Sequence, residues 1–216
     1  MYISRVEIDK NNRRKIKDLK NIESYHGWVE QSFPKEIEQN IRTRKLWRVD
    51  QLQGHYYLII ISLEKPDLKL LEKYGVRNSA QTKSYDTFLN SLKEGEVMRF
   101  RVVLNPVISL PSRDGNHKRG VVKPHTTIKH QMNYLLNRSE KNGFLLEKDD
   151  FSIVERGYEV FNKGNSKPIR LIKAIYEGIL TIDDANLFRK TLTEGIGKKK
   201  AYGFGMMTAI PLGDEK

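Results

Sequence analysis

Hydrophobic alternation recurs along this chain in one repeated order of strands and helices, and that order limits the folds open to it. Residues 2 to 8 put Tyr2, Ser4, Val6 and Ile8 on one face of a strand, with Ile3, Arg5 and Glu7 on the other. A basic, helix-permissive stretch from Asn11 to Lys20 follows, then a second short helix from Glu23 to Phe33 that Pro34 stops. Strands are expected at Lys45 to Gln51 and, after the turn at Gly54, at Tyr56 to Leu63. Lys65-Pro66-Asp67 opens a helix carrying Leu68, Leu70 and Leu71, and a weakly marked edge strand lies near residues 80 to 85.

A second cycle begins at Glu96. Met98, Phe100, Val102 and Leu104 alternate with Val97, Arg99, Arg101 and Val103, so one face is apolar and the other carries two arginines. A loop rich in Gly, Asn and basic residues spans Pro111 to Pro124. An amphipathic helix from Thr126 to Lys141 offers Ile128, Met132, Leu135 and Leu136 as its inner stripe. Strands at 151 to 161 and 168 to 182, a helix at 183 to 194 and a last strand at 201 to 210 complete the cycle. Two β-α-β-β-α-β cycles predict an α+β chain of two tandem ferredoxin-like domains, residues 1–92 and 96–216, divided near Ser91 to Gly95. No sequence repeat links the halves; only the order of elements recurs.

Charge narrows the partner. The 216 residues hold 39 Lys plus Arg against 27 Asp plus Glu, a net charge of +12 that favours nucleic acid, although an anionic membrane surface or an acidic protein would also answer to it. There is no cysteine, hence no disulfide framework, thiolate nucleophile or Cys-based metal site. The N-terminus lacks the apolar run of a signal peptide, and no segment approaches the ~20 apolar residues that span a bilayer, so a cytoplasmic protein without a membrane partner is expected.

The densest positive charge lies in Gly195-Ile196-Gly197-Lys198-Lys199-Lys200-Ala201-Tyr202-Gly203-Phe204-Gly205, where glycines that let a backbone approach a ligand bracket three lysines. Gly195 also follows a helical pattern set by Ala185, Phe188 and Leu192, so it can equally be that helix's C-terminal glycine. A second basic run, Ser112 to His125, carries Arg113, Lys118, Arg119 and Lys123 against one acid; it reads as a backbone-binding loop or as a solvated one. Arg42, Arg44, Lys45 and Arg48 flank Trp47, which fits a core position better than a base-stacking platform.

Of the five histidines, His125 and His130 are five apart, wrong for one helical face, and no carboxylate cluster accompanies them, so no metal site is expected. His26 sits early in the second helix at the edge of the stripe Ile22, Val29 and Phe33, beside Gly27. Spacing alone also allows an ordinary boundary histidine. Its appeal is an imidazole pKa near ~6.5, which permits proton transfer in either direction close to neutrality. RNA brings its own nucleophile, the 2′-hydroxyl, so its cleavage needs a base, an acid, positive charge and in-line geometry, and no cofactor.

Met1 to Val6, Tyr25-His26 through Trp28 to Phe33-Pro34, Lys45-Leu46-Trp47-Arg48, Phe100-Arg101-Val102 to Asn105-Pro106, and the glycine segment Gly195 to Gly205 together resemble the CRISPR repeat-RNA endoribonucleases of the type I-E Cascade complex. The likeness runs over essentially the whole chain in one order. It implies the RAMP-type pair of ferredoxin-like domains and a metal-independent enzyme that binds the repeat stem-loop. Such enzymes cut at the 3′ base of the stem, leave a cyclic phosphate and a 5′-hydroxyl, and stay with the mature guide among other Cascade subunits. The family's catalytic histidine carries over onto His26. Its tyrosine three residues earlier does not, because Glu23 stands there and Tyr25 directly precedes His26. Glu23, Tyr25 or a lysine is therefore open as the partner of His26, and His26 itself can serve as general base on the 2′-hydroxyl or as general acid on the 5′-oxygen. The resemblance assigns RNA contacts to Arg113, Lys118, Arg119 and Lys123, to Lys198, Lys199 and Lys200, and to Gly195, Gly197, Gly203 and Gly205.

Overall fold

The N-terminal alternation forms β1 (Tyr2–Glu7), whose Ser4 and Val6 are buried, with Ile8 buried just beyond its end. The computed structural model describes residues 1–111, 121–161 and 168–212. The basic stretch folds into one turn only, α1 (Arg13–Ile16): three of its four residues are cations and none is buried, so neighbouring like charges oppose extension and no packing offsets them. α2 (Ile22–Gln31) starts at Asn21, whose side chain accepts from the Ser24 N–H, and buries Ile22, Trp28 and Val29. Pro34 ends that run and also opens α3 (Pro34–Glu38) from its first turn, where its missing N–H costs nothing.

β2 (Lys45–Leu52), β3 (His55–Ser62), α4 (Leu68–Leu71), β4 (Gln81–Ser84) and α5 (Asp86–Ser91) follow. The four strands form an antiparallel sheet in the order β2-β3-β1-β4. The second half contains β5 (Val97–Leu104), β6 (Val107–Leu110), β7 (Val121–Pro124), α6 (Ile128–Leu136), β8 (Phe144–Leu145), β9 (Phe151–Phe161), β10 (Ile169–Ile182), α7 (Ala185–Glu194) and β11 (Met207–Pro211). Its sheet runs β11-β5-β10, and β9 and the short β8 pair successive stretches of β10. Apart from β8, neighbours repeat between the sheets: the first strand pairs with the third and fourth, and the second lies outside the third.

Further details differ from the sequence-based expectation, the short α5 among them. Val107–Leu110 and Val121–Pro124 pair as a hairpin, so regular structure brackets the basic run. The two-residue β8 has too short an alternation to be legible. The last strand begins at Met207, because Lys200–Tyr202 forms a 3-10 turn between left-handed Lys199 and Gly203. α6 is rotated about its axis: Ile128 is 57% exposed, whereas Gln131, Tyr134 and Leu135 are buried. Gln131 tolerates burial because its amide donates to the His125 carbonyl (2.7 Å) and accepts from Arg156 (2.7 Å), while its backbone carbonyl accepts from the Tyr176 hydroxyl (2.9 Å).

The two sheets share their apolar packing. One cluster joins Trp28, Trp47, Leu58 and Ile60 to Val103, Phe161, Ile175 and Phe204; another joins Leu46 and Ile61 to Met98, Phe100 and Met206. Trp47 is thus a core residue, 4% exposed, and its indole N–H donates to the Ala201 carbonyl at 3.0 Å. Arg48 is buried at the same seam. Its guanidinium grips both oxygens of Asp50 (2.7 and 2.6 Å) and donates to the Arg101 and Met206 carbonyls (2.9 and 3.1 Å) and the Thr208 hydroxyl (2.8 Å). Among the described residues, no helix is long and apolar enough to cross a membrane.

Candidate active site

α2 buries Trp28 and Val29 and thereby turns His26 toward the glycine segment of the second half. The His26 side chain is 20% exposed and its ring lies 5.5 Å from that of Tyr202, tilted by 56°. Tyr202 is fixed in turn against Phe161, ring centroids 4.8 Å apart. Arg42 Nη2 stands 3.2 Å from His26 Nε2, and Glu30 Oε1 lies 3.9 Å from Nδ1, one helical turn along α2. A guanidinium can only donate, so Nε2 accepts and the ring proton belongs on Nδ1, toward Glu30. The result is a neutral imidazole whose basic nitrogen already faces a cation.

Around this ring the charges are interlocked. Glu30 meets Arg42 at 3.6 Å and Lys45 at 3.5 Å, and the buried Lys45 ammonium also contacts Glu36 at 2.7 Å. Burial alone would raise the Glu36 pKa, but hydrogen bonds from Lys45 and Thr43 hold its carboxyl below the usual range. Burial pushes the His26 pKa below its ordinary value; Arg42 and Lys45 act the same way, while Glu30 and, more weakly, Glu23 oppose them. Among the described residues, no group of three or more acids and histidines is placed to hold a metal ion.

The sequence-based candidates fall at different distances from this centre. Glu23 acts on His26 only through its charge. Tyr25 turns away and stacks on Trp47 at 6.0 Å, its pKa raised by burial and by the Glu159 carboxylate. Lys199 places its amino group 6.0 Å from the Tyr202 ring. Lys198 donates to the Ser109 hydroxyl at 2.8 Å, linking the glycine segment to β6. Lys200 is held below the usual lysine pKa by burial and by Arg44, against the pull of Glu194. Lys123 is exposed on β7, and Arg113, Lys118 and Arg119 lie outside the described residues.

The glycines have packing reasons of their own. Gly195 caps α7, as its position after the helical pattern allows. Gly203 has φ +76°, and a Cβ there would lie 2.9 Å from the Trp47 ring; at Gly205 a Cβ would sit 2.4 Å from the Ile196 carbonyl oxygen. Gly197 approaches the Tyr134 hydroxyl in the same manner. The segment is thus pressed onto β2 and α6, and that contact carries Tyr202 to His26. Gly203→Ala should lower stability by about 1–3 kcal/mol, read as a reduced urea midpoint with an unchanged m-value.

Glu30, Arg42 and Tyr202 were not singled out as partners of His26 by sequence reasoning. Glu30 was legible, four residues on along one helix face. Arg42 was visible only as one of a run of cations, and nothing local links Tyr202 to His26.

A half-buried neutral histidine between a carboxylate and a guanidinium, on a strongly basic chain at the seam of two antiparallel sheets, defines an acid–base site suited to a polyanion. The chain belongs to the family of CRISPR-associated proteins, whose family model matches residues 1–211. It is 27% identical, over 98% of its length and 100% of the relative's, to the CRISPR-associated endoribonuclease Cse3 of Thermus thermophilus. The fold is shared with Thermus thermophilus Cse3 bound to an RNA representing a pre-cleavage complex, at a TM-score of 0.77 and 23% identity, covering 97% of this chain and 98% of that one. A chain of a CRISPR RNA-guided surveillance complex also shares it, at a TM-score of 0.64 and 17% identity over 98% of this chain and all of that one.

Proposed function

We propose that this protein is a metal-independent, cytoplasmic endoribonuclease that binds the CRISPR repeat stem-loop and cuts precursor guide RNA at the 3′ base of the stem. It stays with the mature guide as a Cascade subunit. The chain comprises two ferredoxin-like domains, a division supported by the shared neighbour order of the two sheets. The observation that carries the reading is the His26 Nε2 lone pair directed at a cation. Likeness to Cse3 over the whole chain supplies the substrate class.

His26 acts first as base. An incoming phosphodiester attracts the exposed Arg42 from Nε2 to a phosphate oxygen, freeing the lone pair to take the 2′-hydroxyl proton. Arg42 and Lys199 stabilise the charge of the pentacovalent phosphorus. The bond from 2′-oxygen to phosphorus forms, the bond from phosphorus to 5′-oxygen breaks, and the departing oxygen takes a proton from the surroundings or from the imidazolium. The products are a 2′,3′-cyclic phosphate and a 5′-hydroxyl. Incubating the protein with labelled repeat hairpin in EDTA tests this. One cut below the stem with those ends supports it; binding without any cut would identify a passive guide-RNA-binding subunit.

The base role has a pH signature. The His26 pKa is lowered, so the acid limb of kcat/KM should have its midpoint below the ordinary 6.5. Arg42 lowers that pKa and Glu30 raises it, so Arg42→Met should move the limb to higher pH and Glu30→Gln to lower pH. Shifts of opposite sign to these would remove His26 as the titrating base. By linkage, the neutral ring's contribution to stability is complete above pH 6.5 and is lost as pH falls through the lowered folded-state pKa.

A further inference from the structure

Beside His26 the two sheets leave a cleft of about 440 Å³. The first half contributes Tyr25, Trp47 and Tyr56 to its lining, and the second contributes Glu159, Lys173 and Tyr202. It is connected to the acid–base site at two points. Tyr25 is the residue before His26, and Tyr202 both lines the cleft and lies against the His26 ring. None of these lining groups takes part in the proton transfers assigned to His26.

The lining is chemically specific. Three half-buried tyrosines, Tyr25, Tyr56 and Tyr202, offer flat surfaces for stacking, and Tyr25 is itself held nearly parallel to the buried Trp47 behind it, at 16°. The cleft is a poor phosphate site, because its cations are engaged. Arg48 is paired with Asp50, Arg101 with Asp50 and Glu177, and Lys173 with Glu155 (2.8 Å) and Glu159 (3.1 Å). The exposed Lys20 is the one lining cation outside these pairs among the described residues. Perturbed ionisation marks the same groups: burial and Glu159 raise the Tyr25 phenol, and Glu155 and Glu159 raise Lys173 although burial opposes them. At neutral pH the cleft therefore presents a phenol donor, carboxylate acceptors and an ammonium donor between aromatic surfaces. That is a match for an uncharged planar group with hydrogen-bonding edges.

We infer that this cleft takes one unpaired nucleobase of the bound RNA, next to the nucleotide at His26, and that it prefers guanine. The Glu159 carboxylate accepts from the guanine N1–H and N2–H, Lys173 donates to O6, and the tyrosines hold the ring by stacking. Guanine is favoured because it alone among the four RNA bases sets two adjacent donors beside a carbonyl acceptor. The inference rests on the RNA-binding reading above, and one experiment separates the two.

The affinity of the full chain is measured for repeat-hairpin RNAs with unpaired tails on both sides, with guanosine placed at each tail position in turn and then replaced by inosine, which lacks the N2 amine. The expected result is one position at which inosine weakens binding about tenfold, as loss of a good base-edge contact does. Glu159→Gln should abolish that discrimination while binding a tailless hairpin as wild type does, with an unchanged Tm confirming its fold. Discrimination at no position, or discrimination that survives in Glu159→Gln, overturns the cleft assignment and leaves the nuclease reading intact. Failure to bind any hairpin overturns both.

Discussion

His26→Ala should cut a repeat hairpin about 10²- to 10⁴-fold more slowly at neutral pH, the usual worth of a positioned proton-transfer group, while holding that hairpin nearly as tightly as wild type. The two halves of the expectation have different causes. Rate depends on the lone pair at Nε2, and no nearby group replaces it. Lys45 is locked between two carboxylates, and the Tyr25 phenol faces Trp47 with its pKa raised. Affinity depends chiefly on cations that release counterions from phosphates, and a neutral imidazole contributes none. The measurement is single-turnover cleavage in EDTA alongside a salt-dependent binding titration. A mutant as fast as wild type would exclude His26 from the chemistry. Loss of binding and cleavage together would make it a structural residue, since removing it takes one partner from Arg42 and one from Glu30, which already meet each other at 3.6 Å.

Regular structure was most legible where pattern and burial agree. The alternations of β1 and β5 and the run of α2 follow from local sequence, because each has a clear inward face. α6 misled because its most apolar stripe is not its buried one. Gln131 is drawn inward by partners in β9, β10 and the segment before the helix, none of them visible from within the helix. The His26 site divides in the same way. Glu30 shares a helix face with His26 and could be counted off, whereas Tyr202 arrives only after the glycine segment docks on Trp47. The glycines drew notice as a ligand-approach motif, and their close contacts are with Trp47, Leu46, Tyr134 and their own segment's backbone. Sequence indicated that backbone comes unusually near something there; what it comes near is a tertiary fact.

That docking makes Arg48 the most consequential buried polar residue of the seam. Arg48→Met keeps much of the side chain's length and apolar volume but removes the guanidinium of a residue that is 2% exposed, and with it the bonds to Asp50, to the Arg101 and Met206 carbonyls of the second half and to Thr208. Asp50 keeps a second partner in Arg101 at 3.2 Å, so no carboxylate is left wholly unpaired. The Arg101 and Met206 carbonyls lose their side-chain donor where little water can replace it. The expected cost is on the order of 3 kcal/mol, the lower end for removing one member of a buried charge pair. Arg48→Lys should recover only part of it, because one ammonium cannot span the directions a planar fork reaches. Urea unfolding of the full chain reads this as a lowered midpoint. Because β2 carries Trp47, on which the glycine segment rests, cleavage should fall even under conditions where Arg48→Met remains folded. A cost below about 1 kcal/mol, comparable to that of an exposed ion pair, would mean that the shared apolar clusters alone hold the sheets together. The approach of Tyr202 to His26 would then depend on the packing around Trp47 and Phe204 rather than on the polar lock beneath it.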